Sequence, residues 1–268
     1  MHSSSLTLTC LGSGTSYGVP MIGCDCPTCQ SGDPRDRRMN ASLLINTYEK
    51  NILIDCGRDF REQAIRHRLK RVDHVLITHT HFDHIAGIDD LRAFTTRNKK
   101  PIPLYGKEEH LNYLRDYTYH YLFDRSAQKG GGLTELELIS VDHPFRVEGI
   151  EFEPLPVLHG SLEIFGYKFA KCAYISDVSC IPEDTLDRLK GLQVLFLDAL
   201  RFRPHSTHFN IDAALAVVRR LKPLKTYLTH ICHDILHREV DACFRDPHSR
   251  YFSECDVQLA YDGLKIEA

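Results

Sequence analysis

No run in these 268 residues approaches the ~18 consecutive apolar residues of a membrane span. A helical membrane anchor is therefore not expected. The opening Met1-His2-Ser3-Ser4-Ser5 lacks a positive segment followed by an apolar core. No secretory signal is expected, and the cytoplasm is the expected compartment. An excess of positive charge is missing too. The net charge of −3 argues against a generally basic surface for large nucleic acids, although a local basic patch is compatible with it. The glycine-rich stretch Gly12-Ser13-Gly14-Thr15-Ser16-Tyr17-Gly18 follows a strand-like segment but lacks the Gly-Lys-Ser/Thr ending of a P-loop. A tight turn lining a cleft is expected there.

What is present is ordinary for a globular α/β protein: 43% hydrophobic and 26% charged residues, enough for one sizeable domain over 1–268. Seven of the ten cysteines are scattered, and several sit in apolar runs as small core residues. The other three, Cys24, Cys26 and Cys29, fall within six residues in the segment 23–30. That is the spacing of a zinc knuckle awaiting a fourth ligand.

Strand-like runs appear at 6–11, 41–45, 51–55, 72–77, 101–106, 150–155, 166–169, 172–175 and 194–198. Helical patterns appear at 60–69, 85–96 and 211–221, the last capped by Asn210 and followed by Pro223. Charged Asp33 to Arg38 reads as a solvated loop, with Arg37 or Arg38 open to phosphate contact. Residues 107–132 crowd five aromatic rings between Tyr113 and Phe123 and end in Lys129-Gly130-Gly131-Gly132. They read as a helix packing on the core, or as a mobile lid that stacks on substrate.

The densest chemistry lies at Thr78-His79-Thr80-His81-Phe82-Asp83-His84, on an expected strand-to-helix loop. His79 and His81, two apart, can reach one metal. Asp83 and His84 reach a point further on, so one loop can serve two ions. Imidazole with carboxylate suits zinc, manganese or iron rather than calcium or magnesium.

This His-x-His-x-Asp-His pattern resembles the signature of the metallo-β-lactamase superfamily. The rest of that pattern follows in order. Asp55 matches an early aspartate that orients the ligand loop. His159 matches the third histidine of the first metal site, Asp177 the bridging carboxylate and His230 the last histidine of the second site. The resemblance implies an αβ/βα four-layer sandwich. It implies one ion on His79, His81 and His159, and another on Asp83, His84 and His230, with Asp177 shared. Two such ions acidify a bridging water as nucleophile.

The cysteine insert narrows the resemblance to PhnP-like phosphodiesterases. It implies His233 as the fourth ligand of a structural zinc, with Cys232 competing. PhnP-like and RNase Z enzymes also carry a histidine shortly before a late helix. His208 fits that place as a phosphate clamp or acid, and His205 is the alternative. With Asp83, His208 forms the expected catalytic pair. The long basic arm of RNase Z enzymes is not evident. The expectation is a dinuclear zinc or manganese phosphodiesterase acting on a small diester, a cyclic nucleotide or cyclic ribose phosphate. An RNase Z-like endonuclease and a thioester hydrolase are the alternatives. Homodimerisation is left open.

Overall fold

A computed structural model describes residues 6–47, 50–124, 126 and 132–268. Its elements, in chain order, are β1 (Thr7–Gly12), β2 (Ser42–Asn46), β3 (Asn51–Ile54), α1 (Phe60–Arg66), β4 (His74–Leu76), α2 (Phe82–Ile85), α3 (Arg92–Asn98), β5 (Ile102–Gly106), α4 (Glu108–Tyr113), α5 (His120–Phe123) and β6 (Leu136–Ser140). There follow β7 (Phe145–Val147), β8 (Ile150–His159), β9 (Leu162–Phe169), β10 (Cys172–Ile175), α6 (Glu183–Arg188), β11 (Val194–Asp198), α7 (Ile211–Leu221), β12 (Lys225–Thr229), α8 (His237–Cys243), β13 (Asp256–Leu259) and β14 (Lys265–Glu267).

The strands form two seven-stranded sheets, ordered β14-β1-β2-β3-β4-β5-β6 and β7-β8-β9-β10-β11-β12-β13. Pairing repeats between them. In each sheet the first four strands run antiparallel and the rest are added in parallel. This duplication is invisible as residue identity, because each half needs only apolar side chains in the same places.

Three cores define the layers. Leu8, Leu43 and Ile54 of the first sheet meet Phe152, Tyr167 and Phe196 of the second in a central core. The far face of the first sheet packs on α1, α3 and α4 through Phe60, Phe94 and Leu111. The far face of the second packs on α6, α7 and α8 through Leu186, Leu215 and Val240. The result is a helix–sheet–sheet–helix sandwich. Strands such as β11, buried along their whole length, bury both faces and so read as unbroken apolar runs. The Asn210 side chain caps α7, accepting from the Ala213 N–H at 3.0 Å.

Three local expectations need correction or a limit. The ligand stretch is not all loop: α2 begins at Phe82, so Asp83 and His84 lie on its first turns. Arg38 is not a solvated phosphate contact. It is fully buried, donating to Asp36 Oδ1 and Ile235 O at 2.8 Å and to Cys232 O at 3.0 Å. The aromatic stretch is divided, with Tyr119 buried and bonded to Ile85 O while Tyr113 and Tyr117 are exposed. Most of its glycine end, 127–131, lies outside the described residues, as do Met1–Ser5.

Candidate dinuclear metal centre

Asp83 and His84 lie on α2, and the other candidate ligands of the paired sites sit at or just past the end of a strand. His79 and His81 follow β4, His159 ends β8, Asp177 follows β10 and His230 follows β12. Asp55, Asp177 and His230 each adopt a left-handed backbone, φ 63°, 58° and 58°. For residues with a Cβ such a conformation costs about 1 kcal/mol or more and persists only where the surroundings enforce it. Asp55 and Asp177 occupy the same place in the two sheets, each after the fourth strand.

The structure gathers donor atoms of His79, His81, His159 and Asp177 within 4.8 Å of one another, and does the same for Asp83, His84, Asp177 and His230. Asp177 belongs to both sets. His159 Nδ1 donates to Thr207 O at 2.7 Å, which fixes the tautomer and leaves Nε2 as a lone-pair donor, 3.3 Å from His81 Nδ1. Asp55 accepts from His84 Nδ1 and from the Thr78 N–H, both at 2.8 Å. It thereby aims His84 Nε2 at Asp177 Oδ1, 3.2 Å away, and Asp83 Oδ2, 3.3 Å away.

These residues fit metal ions. The Nε2 atoms of His79 and His84 are buried without a hydrogen-bond partner among the described residues, although carboxylate oxygens lie beside His84. Burial, reinforced by His84, holds His79 well below its ordinary pKa, and burial likewise lowers His81 and His159. They are held as neutral imidazoles, the form a metal ion binds. Burial opposes charge on His230, but Asp177, Asp83 and Asp198 outweigh it and push that imidazole up to about 9. Asp177, despite its burial, is held well below the carboxylate range by His230 and His84. Ionised carboxylates that call protons onto buried histidines make a site that demands cations.

His208 stacks on His230, ring centroids 4.8 Å apart and planes 12° from parallel. Its Nε2 lies 4.0 Å from Asp177 Oδ2. Its Nδ1 lies 2.9 Å from Oδ2 of the wholly buried Asp198, which also takes the Val178 N–H. His205 is exposed and stands 5.1 Å from the His208 ring. Asp198 was not among the residues expected in the site, yet it ends an apolar strand as Asp55 and Asp177 follow theirs. His110, buried between Thr80 and the Glu163 carbonyl, was also missed.

A second cluster joins Cys24, Cys26, Cys29 and His233. His233 Nδ1 lies 3.2 Å from Cys24 Sγ and 3.4 Å from Cys26 Sγ. Slight burial opposes ionisation of Cys26, but the Cys29 N–H and the His233 ring outweigh it and bring the thiol down to about 6. Cys232 is not in this cluster. Its sulfur accepts from the Asp234 N–H at 3.4 Å.

The fold and the paired donor sets define a metal-dependent hydrolase. A family model described as the beta-lactamase superfamily domain matches residues 50–231. A crystal structure described as a new diphosphatase from the PhnP family is 42% identical, superposes with TM-score 0.87, and is covered over 97% of its length by 98% of this chain. The chain belongs to the beta-lactamase superfamily and, within it, to the PhnP family.

Among curated relatives, the octanoyltransferase of Porphyromonas gingivalis strain W83 is 39% identical over 258 residues, 95% of this chain and 50% of that protein. The ribonuclease Z of Staphylococcus epidermidis strain ATCC 12228 is 29% identical over 156 residues, 50% of each chain. The aligned part thus spans about half the length of each. Among the described residues, no helix is long and apolar enough to cross a membrane.

Proposed function

We propose that this chain hydrolyses a small disubstituted phosphate. Cyclic nucleotides and cyclic ribose phosphates are diesters of this kind, and a diphosphate linkage presents the same reacting group. One observation carries the reading: the Asp198–His208 pair, with His208 Nε2 turned toward Asp177. An alkoxide leaving a phosphate is a poor leaving group and needs a proton. A thiolate leaving a thioester does not. A directed imidazole beside the metal ligands therefore suits a phosphate ester.

His79, His81, His159 and Asp177 would hold one divalent ion, and Asp83, His84, Asp177 and His230 the other, zinc or manganese. Bound there, such ions acidify water and polarise a phosphoryl oxygen. The chain's own residues do the rest. Asp55 and the Thr207 carbonyl keep His84 and His159 in one tautomer. Asp198 holds His208 with Nε2 available to clamp a phosphoryl oxygen and protonate the leaving oxygen. Cys24, Cys26, Cys29 and His233 would hold a structural zinc that ties the N-terminal insert to the His230 loop.

The test is turnover of bis(p-nitrophenyl) phosphate and of a 2′,3′-cyclic nucleotide by zinc- or manganese-loaded protein. Metal-dependent hydrolysis supports the reading. No turnover of either by protein assayed to hold two active-site ions overturns it. Cleavage of a structured RNA alone, with steep salt dependence, would move the ribonuclease reading forward.

A further inference from the structure

We propose that Cys26 and Cys29 form a peroxide-sensitive dithiol, so that the cluster of Cys24, Cys26, Cys29 and His233 is a zinc clasp that oxidation opens. This rests on the structural zinc assigned to that cluster above and not on the phosphate-ester reading.

The insert that carries these thiols depends on the cluster. Residues 21–30 give no side chain to any of the three cores. Beyond the adjoining Ser31, they hydrogen-bond to the rest of the described chain only at His233. Cys24 Sγ lies 3.2 Å and Cys26 Sγ 3.4 Å from the His233 ring, and Cys26 Sγ donates to the His233 carbonyl at 3.6 Å. Ile22, near the start of the insert, is 97% exposed and anchors nothing. The bonding state of the thiols therefore decides whether the insert stays docked.

The geometry suits a disulfide. The four donor atoms lie within 4.8 Å of one another, so a short movement of two sulfurs brings them to a bond of about 2 Å. Two residues separate Cys26 from Cys29, across a turn closed by the Gln30 N–H on Cys26 O at 3.0 Å. That is the spacing of redox-active Cys-x-x-Cys dithiols. A single residue separates Cys24 from Cys26, and a ring that small strains the bond. Cys26 is half-buried and Cys29 buried, so Cys26 meets the oxidant and Cys29 resolves it. The other seven cysteines, besides Cys24, Cys26 and Cys29, lie outside the cluster.

The step balances with one hydrogen peroxide. The Cys26 thiolate attacks an oxygen, the O–O bond breaks, and hydroxide leaves to be protonated to water. The Cys29 thiolate then attacks the sulfenic sulfur, the S–O bond breaks, and a second hydroxide takes a proton from solvent. Two thiolates lose two electrons in all, and one peroxide becomes two waters. Cys24 and His233 remain, two ligands where a closed zinc site needs four. The loop that carries His233 is also held independently. Arg38 donates to Cys232 O and Ile235 O, and the Thr15 N–H donates to Ile231 O. His230 therefore keeps its place, and the paired donor sets contain no thiol to oxidise.

The experiment adds hydrogen peroxide to zinc-loaded wild type assayed to hold three ions. Zinc release is read with a chromophoric chelator against untreated protein, disulfides by peptide mass mapping, and the insert by hydrogen exchange over residues 21–30. One of the three ions should be released, with a bridge mapped to Cys26–Cys29 and faster exchange in the insert. A thiol reductant with added zinc should reverse all three changes. Cys180→Ser, which removes an exposed thiol outside the cluster, should release zinc as wild type does. No release, release of all three ions together, a bridge elsewhere, unchanged exchange in the insert, or loss of the response in Cys180→Ser overturns the proposal. So does wild type that takes up only two ions and leaves its clustered thiols free. None of these readouts depends on turnover of a phosphate ester, so failure of that reading is seen separately.

Discussion

Asp198 Oδ2 and His208 Nδ1 stand 2.9 Å apart, and Asp198 has no exposure to solvent while His208 is half-buried beside the metal ligands. The carboxylate fixes which imidazole nitrogen is turned toward Asp177. His208→Ala should lower kcat on an alkyl phosphodiester by about 10²–10⁴-fold. It should cost far less on bis(p-nitrophenyl) phosphate, whose leaving group needs no proton. Asp198→Asn should show the same contrast, more weakly, with metal content unchanged by elemental analysis. Equal losses on both substrates would remove the proton-donor role.

Chelation should destabilise the protein. Asp83 and Asp177 are ionised and buried, and without cations they face each other. A metal at 100 times its dissociation constant adds about 2.7 kcal/mol per site. EDTA should lower the unfolding temperature by several degrees, and zinc or manganese should restore it. Protons compete for His79, His81 and His159, so metal should be lost as pH falls. Unfolding temperatures that ignore EDTA would count against the cation-demanding site.

Gly57→Ala is a mutation with a large expected effect. The added Cβ meets backbone, the Asp83 carbonyl, rather than a side chain that can swing away. The ligand helix must shift. Stability should fall by about 2–4 kcal/mol in urea unfolding, and the second metal should bind more weakly. A neutral result would mean that the β3 loop and α2 separate easily.

His237 sets a pH window. Burial, with Arg35 adding to it, pushes its imidazole down to about 4, below an unfolded value of 6.5. The unfolded chain then binds more protons between pH 6.5 and 4, so stability rises with pH across that window and is lost as pH falls through it. Of the order of 3 kcal/mol separates the two ends at most. His237→Phe should flatten the urea midpoint between pH 6.5 and 4.5 relative to wild type. Parallel curves for the two proteins would show that His237 does not titrate there.

Much of this arrangement is legible in the sequence because strand-end ligands leave a mark: an apolar run that stops at Asp or His. Asp55, Asp177 and His230 carry that mark, and the His79–His84 stretch adds its spacing. Asn210 is legible as a cap by the same local logic. Asp198 bears the mark as well, but nothing local says that its partner is His208. Arg38 misleads because a guanidinium satisfied by carbonyls of residues 232 and 235 looks, in sequence, like any surface cation. The place of Arg58 is hidden because its partners Asn40 and Ser16 lie near it only after folding. The helix that opens at Phe82 is four residues long and has no side-chain cap, so no sequence signal marks its start.

The pairing of β14 with β1 has a consequence for synthesis. Thr7, Leu8 and Thr9 are matched to Glu267, Ile266 and Lys265, strand partners about 260 residues apart in sequence. Until residue 267 clears the ribosome, the outer edge of β1 carries unsatisfied N–H and C=O groups that any other strand can take. The first sheet thus waits for β14 before β1 has partners on both sides. Nascent chains arrested near residue 255 should bind chaperones or one another through that edge. Stalling further on, once residues 256–267 are free to fold, should weaken the binding, and crosslinking of the two stalled chains would show whether it does.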